Sequence, residues 1–209
     1  MTQSKGDVDL ALIIALDVSY SVDVDEFHLM REGLAAALDT KEVEEALLTG
    51  FHGAMLICVL QWSGFQEQKI KVKWMRVTDR SGLAAIAHEV RQTTRGYYGG
   101  ATDIGGALEY CRKLILNTPE KAARMVIDLV ADGTNNVNFS PIFERDIAVS
   151  MGITINGLAI TNEVDGLVDY FTNTIIGGNG AFVEVAKEYT DFELAMRKKL
   201  ARETQSLVS

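Results

Sequence analysis

The chain has 209 residues, of which 47% are hydrophobic and 23% charged, and this favours one large globular domain over residues 1–209. The formal net charge is −9, which disfavours generic nucleic-acid binding because phosphate attraction supplies most of that affinity. The longest apolar runs are shorter than the roughly 20 residues that cross a bilayer, so the sequence predicts no membrane span.

The two ends of the chain are polar. Residues 1–8 form a lead without the basic and apolar segments of a signal sequence, and residues from about 204 to 209 are predicted to form a frayed tail. We therefore expect a cytoplasmic protein on the sequence as given, and an extracytoplasmic one if a leader has been removed. Cys58 and Cys111 lie in apolar patterns, and we expect both to be buried free thiols. The three histidines share no spacing with them, which disfavours a zinc site.

Apolar runs alternate with amphipathic segments along the whole chain. The run at 10–16 is continuous, as in a central strand buried on both faces. Residues 69–77 alternate apolar and charged side chains, and the short connection before them predicts an antiparallel edge strand. The predicted strands are 10–16, 54–62, 69–77, 125–130, 153–160 and 181–185. The predicted helices are 25–38, 41–48, 81–94, 103–116, 141–151, 164–171 and 191–200.

Strands that alternate with helices predict an α/β fold with a mostly parallel sheet wrapped by helices. Asp23 and Asp25 are expected to cap the first helix near the positive end of its dipole. Trp62 and Trp74 are expected to pack between the sheet and the helices. Asp128 lies inside a buried strand, so it needs a polar partner.

Polar side chains follow the carboxyl ends of two predicted central strands, where ligands bind in open α/β sheets. Asp17, Ser19 and Ser21 follow the first strand, Asp132 follows a later one, and Thr102 stands between a glycine-rich loop and a helix. Each piece alone also suits an ordinary turn or helix cap. Together they offer three hydroxyls and two carboxylates, which are the oxygen ligands that hard cations such as Mg²⁺ prefer. The set therefore predicts a divalent metal site. Asn135, Asn136 and Asn138 either support this loop or merely form turns.

The pattern Asp17-x-Ser19-x-Ser21, Gly100-x-Thr102 and Asp132-Gly133 resembles the metal-ion-dependent adhesion site (MIDAS) of von Willebrand factor A domains. Over nearly the whole chain, the sequence is also similar to the uncharacterised bacterial DUF1194 family. The segments that carry this second resemblance are Asp17-Val18-Ser19, Gln61-Trp62-Ser63, Val126-Ile127-Asp128, Ile153-Thr154-Ile155-Asn156-Gly157-Leu158 and Ile176-Gly177-Gly178.

The resemblance implies a role for each site residue. Ser19, Ser21 and Thr102 would bind Mg²⁺ (or Mn²⁺ or Ca²⁺) through their hydroxyls, while Asp17 and Asp132 would act directly or through coordinated water. A Glu or Asp from the partner would fill the remaining position. We accordingly expect a doubly wound six-stranded sheet of order 3-2-1-4-5-6, with strand 3 antiparallel and helices on both faces.

Two residues depart from the pattern of many A domains. Tyr20 stands where many have Gly, and Ala131 stands where many have Thr or Ser before the Asp. Neither is an expected metal ligand, so the departures concern what can approach the metal.

The expected function is metal-dependent binding, of the adhesion type, to a protein or peptide that offers a Glu or Asp carboxylate, without chemistry. The alternative is a Mg²⁺-dependent phosphoesterase or hydrolase that uses Asp17, since acid-phosphatase-like folds share an Asp at a strand end. Those enzymes usually carry a second Asp two residues later as general acid, whereas this chain has Ser19. The sequence contains no G-x-S-x-G, dinucleotide-binding or P-loop pattern.

Overall fold

A computed structural model describes residues 7–47, 49–137 and 139–205. Most of the predicted lead, Asn138 and residues 206–209 of the predicted tail lie outside these described residues. The strands are β1 (Val8–Asp17), β2 (Met55–Trp62), β3 (Gln68–Val77), β4 (Ala122–Ala131), β5 (Ile153–Ile160) and β6 (Val183–Ala186). The helices are α1 (Val24–Leu38), α2 (Lys41–Leu47), α3 (Arg80–Arg91), α4 (Ile104–Ile115), α5 (Pro141–Ser150), α6 (Leu167–Tyr170) and α7 (Phe192–Gln205).

The sheet has the order β3-β2-β1-β4-β5-β6, in which β3 is antiparallel to β2 and every other pair is parallel. This confirms the predicted order and the antiparallel edge strand. Successive β1 side chains point to opposite faces of the sheet. Leu12 and Ile14 pack in one core with α1, α3 and α7, while Ile13 and Ala15 pack in the other core with α4 and α5. No helix in the described part of the chain has the length and apolarity needed to cross a membrane.

Several ends differ from the predicted ones. Helix α3 ends at Arg91, three residues early, because the chain then turns toward the sheet and the Gly96 amide donates to Gln61 Oε1 at 2.7 Å. Helix α7 runs to Gln205, beyond the predicted end at residue 200. Helix α6 begins only at Leu167 and continues as a π-helical turn, Phe171–Ile175.

Asp128 has the polar partner that its burial requires. Lys199 of α7 is fully buried and forms ion pairs with Asp128 and, at 3.1 Å, with Glu203. Asn156 of β5 donates to the same Glu203 oxygen at 2.7 Å. Burial and the neighbouring Glu203 hold the pKa of Asp128 well above its ordinary value, although Lys199 opposes the shift. The cluster fixes α7 to β4 and β5.

Other local expectations are also met. Asp23 is the N-cap of α1 and forms a capping box with Glu26, with both hydrogen bonds at 2.8 Å; Asp25 lies in the first helical turn. Trp62 is buried beneath α4, and Trp74 packs against the same core. Both cysteines are buried free thiols, and burial raises the pKa of the Cys58 thiol to about 12.

Candidate metal centre

The five predicted ligands lie together at the carboxyl edge of the sheet. Asp17 ends β1 and Asp132 follows β4, and these two strands are parallel neighbours, so their ends meet. Ser21 Oγ donates to Asp132 Oδ1 at 2.8 Å. Ser19 Oγ lies 3.3 Å from Ser21 Oγ and 3.3 Å from Thr102 Oγ1. The Ser19 amide donates to Asp17 Oδ1 at 2.7 Å, which connects the fifth residue to the group.

The two carboxylates are almost inaccessible to solvent, because Asp17 and Asp132 are each 1% exposed. Asp17 Oδ2 is buried and has no hydrogen-bond partner among the described residues. Burial, and next the charge of Asp132, raise the pKa of Asp17 to about 8, although the Ser19 hydrogen bonds and the Arg95 charge oppose the shift. A bound cation would offset both causes of the increase and supply a partner for the unsatisfied oxygen.

The donor set fits a hard divalent cation. Three hydroxyl oxygens and two carboxylates are the ligands of Mg²⁺, Mn²⁺ and Ca²⁺ sites, and hydroxyls add no negative charge. The described residues contain no group of three or more His, Cys, Asp or Glu side chains placed to hold a metal. An ion at this edge would therefore depend on the hydroxyls as much as on the carboxylates.

Asn135 and Asn136 hold the Thr102 loop in place. Asn136 Oδ1 accepts from the Thr102 amide at 2.8 Å, and the Asn136 amide donates to the Thr102 carbonyl at 3.1 Å. Asn135 Oδ1 accepts from the Ile104 amide at 3.0 Å, at the start of α4. Of the two roles considered for these residues, the structure shows support of the loop.

Close packing around Gly100 fixes the same loop from the other side. A Cβ atom at this position would overlap Ser63 Oγ and Glu67 Oε2. The Gly100 carbonyl accepts from the Tyr20 amide at 2.9 Å, so it also positions the turn that carries the serines. The Tyr20 side chain is 80% exposed beside the site.

Two residues of the site were not predicted from the sequence. Tyr189 donates its hydroxyl to Asp132 Oδ2 at 3.0 Å, and burial followed by the Asp132 charge raises the pKa of this phenol. Arg95 donates through Nη2 to the carbonyls of Val18 at 3.1 Å and Ser19 at 2.8 Å. Neither belongs to a motif; the only signal is that Arg95 directly precedes the glycine-rich loop.

A family model described as a protein of unknown function, DUF1194, matches residues 7–208. No curated protein sequence matches the chain.

Solved structures resemble the chain at low identity. Proximal thread matrix protein 1 from the mussel byssus, with a zinc-occupied MIDAS motif, is 18% identical at a TM-score of 0.68, over 94% of this chain and 48% of that one. A von Willebrand factor type A protein from Catenulispora acidiphila is 17% identical at a TM-score of 0.66, over 95% and 43%. The vWF domain of the type V pili tip protein Mfa5 from Porphyromonas gingivalis is 12% identical at 0.67, over 97% of both chains. The chain thus spans about half the length of the mussel protein. Together with the observed strand order, these likenesses show a von Willebrand factor A-like fold.

Proposed function

The chain belongs to the DUF1194 family, and from that premise we propose that it is a divalent-metal-dependent protein-binding domain of the adhesion type. The observation that carries the proposal is the largely buried cluster of three hydroxyls and two carboxylates, in which Asp17 Oδ2 lacks a partner among the described residues. A pili tip protein and a thread matrix protein share the fold, and the latter holds zinc at its MIDAS motif. Both likenesses support a binding role.

The side chains of this site have separate tasks. Ser19, Ser21 and Thr102 would hold Mg²⁺, or Mn²⁺ or Ca²⁺ in its place, through their hydroxyls. Asp17 and Asp132 would balance its charge, directly or through coordinated water. The bound ion supplies a Lewis acid whose remaining position attracts one more carboxylate, from a Glu or Asp of the partner.

Binding is favoured over catalysis by the surroundings of Asp17. The carboxylate is buried and its Oδ1 accepts from the Ser19 amide, which suits an ion-holding group better than an attacking one. Ser19 occupies the place of a general acid and has no useful acidic pKa. A phosphoesterase would instead show Mg²⁺-dependent turnover of p-nitrophenyl phosphate that Asp17→Asn abolishes.

Calorimetric titration of chelator-treated protein with Mg²⁺ and Mn²⁺ tests the metal site. The wild type and Thr102→Ser, which keeps the hydroxyl, should bind the ion, whereas Thr102→Ala should bind it much more weakly. A labelled peptide with one glutamate should then bind in Mg²⁺ and dissociate in chelator, and its glutamine counterpart should not bind. Binding of the glutamate peptide that is equal with and without metal would refute the mechanism.

A further inference from the structure

Two adjoining clefts lie beside the candidate metal centre. The first, of about 410 Å³, lies between the start of α1 and the loop after α3 and is lined by Arg31, Arg95 and Tyr98, among others. The second, of about 260 Å³, lies between β3 and the end of α3 and is lined by Lys69 and Lys71. Thr94 lines both, so the two clefts form one continuous surface. We refer to it as the basic strip.

The basic strip has the opposite charge to the protein as a whole, whose net charge is −9. Four cationic side chains line it, against the carboxylates of Asp25 and Glu89. Arg31 is paired with Glu32 at 2.8 Å. The other cations of the basic strip, Lys69, Lys71 and Arg95, form no salt bridge with a described residue.

The two lysines on β3 are close enough for their positive charges to act on each other. Partial burial, and next the charge of Lys69, lower the pKa of Lys71. The two lysines form no salt bridge with a described residue and share their cleft with the carboxylate of Glu89, so they concentrate a positive potential that an anionic ligand would relieve. This is an independent feature of β3, since none of the five candidate metal ligands lies on that strand.

Direct contacts join the strip to the candidate metal centre. Arg95 holds the carbonyls of Val18 and Ser19, so its guanidinium lies directly behind the metal loop. The next residue, Gly96, binds Gln61, which is the β2 partner of Lys69 in the sheet. A ligand attached at the metal could therefore continue over Arg95 toward the lysines without leaving the surface.

The rim of the first cleft is apolar and exposed. Tyr98 is 74% exposed, and the Arg95 guanidinium lies 5.1 Å from its ring centroid. Val24 is exposed on the other side of the same cleft. Aromatic and aliphatic walls beside cations suit the chain of a peptide, with its mixture of apolar and charged groups, better than a uniform polyphosphate.

From these contacts we infer that the partner is an acidic peptide segment. Its first carboxylate meets the metal, and one or more further acidic side chains lie along the basic strip, against Arg95, Lys69 and Lys71. The inference rests on the proposed function for the first carboxylate only. The strip would supply specificity and faster association, because exposed charges steer binding more than they strengthen it.

Fluorescence polarisation with two labelled probes tests the inference: a hexaglutamate peptide, about 20 Å long when extended, and a hexapeptide with one glutamate among serines. With Mg²⁺ present, hexaglutamate should bind about tenfold more tightly, since each exposed ion pair adds only a few-fold. The advantage should shrink as salt is raised from roughly 50 mM to roughly 500 mM. The variant Lys69→Gln/Lys71→Gln should lose the advantage and still bind Mg²⁺. Lys121→Gln, which changes an exposed lysine directly before β4, at the amino ends of the parallel strands, should keep it.

Three results would overturn the inference: equal affinity for the two peptides, an advantage unaffected by the double variant, or a labelled decathymidylate that binds as tightly as hexaglutamate. Failure of the proposed function would look different, because each peptide would then bind as tightly in chelator as in Mg²⁺. A hexaglutamate advantage that persists in chelator and still requires Lys69 and Lys71 would uphold the basic strip while rejecting the metal bridge.

Discussion

Tyr189 donates its hydroxyl to Asp132 Oδ2 at 3.0 Å, while the other oxygen of that carboxylate accepts from Ser21. Asp132 is thereby held on both sides, by the metal loop and by the turn that leads into α7. Groups that orient a metal ligand in this way commonly change metal affinity 10- to 100-fold when they are removed, on the order of 1–3 kcal/mol.

Tyr189→Phe should therefore weaken Mg²⁺ binding about tenfold or more while the protein stays folded. The ring remains to fill its buried position, and the lost hydrogen bond costs about 0.5–1.5 kcal/mol of stability. Isothermal titration with Mg²⁺ measures the affinity. Tyr110→Phe, on a partly buried tyrosine of α4, is the control and should change neither quantity. Unchanged Mg²⁺ affinity in Tyr189→Phe would contradict the role assigned to this contact.

Asp17→Asn should have opposite effects with and without metal. In chelator, the variant should be more stable by roughly 1–3 kcal/mol, because it replaces a buried carboxyl that desolvation, and next the charge of Asp132, disfavour as an anion. In Mg²⁺ the wild type should gain stability, about 2.7 kcal/mol at one hundred times the dissociation constant, whereas the variant should gain little. Thermal melts in the two buffers measure both effects. The exposed Asp165→Asn is the control, and an Asn variant that still gains the full Mg²⁺ increment would refute the role of Asp17.

The sequence predicted the sheet well because β1 and β2, at its centre, are apolar runs bounded by polar turns, and β4 and β5 are mostly apolar. The five candidate ligands were also predictable, since Asp17 ends β1, Ser19 and Ser21 follow it, Asp132 follows β4, and Thr102 directly precedes the N-cap of α4. The hydrogen bonds from Tyr189 and Arg95 were not, because both depend on how irregular loops fold back over the sheet edge. No periodicity or motif in the sequence predicts how these loops run.

The position of Lys199 is a further feature that the sequence did not predict, in this case within a helix. It stands in a run with Arg197 and Lys198, and such a run in a terminal amphipathic helix is typical of a solvated face. The buried carboxylates of Asp128 and Glu203, with the Phe182 ring centroid 5.1 Å from Nζ, make the interior favourable for it. The sequence indicated that Asp128 needed a partner, but the identity of that partner depended on the rotation of α7.

Lys199→Met should destabilise the protein by about 3–5 kcal/mol, because it leaves buried carboxylates without their cation. Urea denaturation measures the change. The neighbouring Lys198→Met is the matched control and should cost little, since Lys198 is exposed on the same helix. Adding Asp128→Asn to Lys199→Met should cost less than the sum of the single changes, as residues in one network are not additive. Additive costs would show that the two side chains do not interact.

Gly100→Ala should abolish Mg²⁺ binding without removing any candidate ligand. The new methyl group would overlap Ser63 Oγ and Glu67 Oε2, and because Ser63 is fully buried and has little room to yield, we expect the loop that carries Thr102 to move. Gly100 also accepts from Tyr20, and a shift of its carbonyl would displace the turn that bears Ser19 and Ser21. A displacement of about 1 Å is enough to spoil a coordination shell whose oxygens must lie within about 0.2 Å of their preferred distance.

Gly133→Ala provides the control for Gly100→Ala, because a methyl group there meets open space although Gly133 directly follows Asp132. It should keep the Mg²⁺-induced increase in melting temperature, while Gly100→Ala should lose it and cost about 1–3 kcal/mol of stability from overpacking. The two substitutions make the same chemical change at the same edge of the sheet, so a difference between them isolates the position of the Thr102 loop. Full Mg²⁺ stabilisation in a folded Gly100→Ala variant would show that the packing of Gly100 against Ser63 and Glu67 is not what holds the Thr102 loop in its ion-binding position.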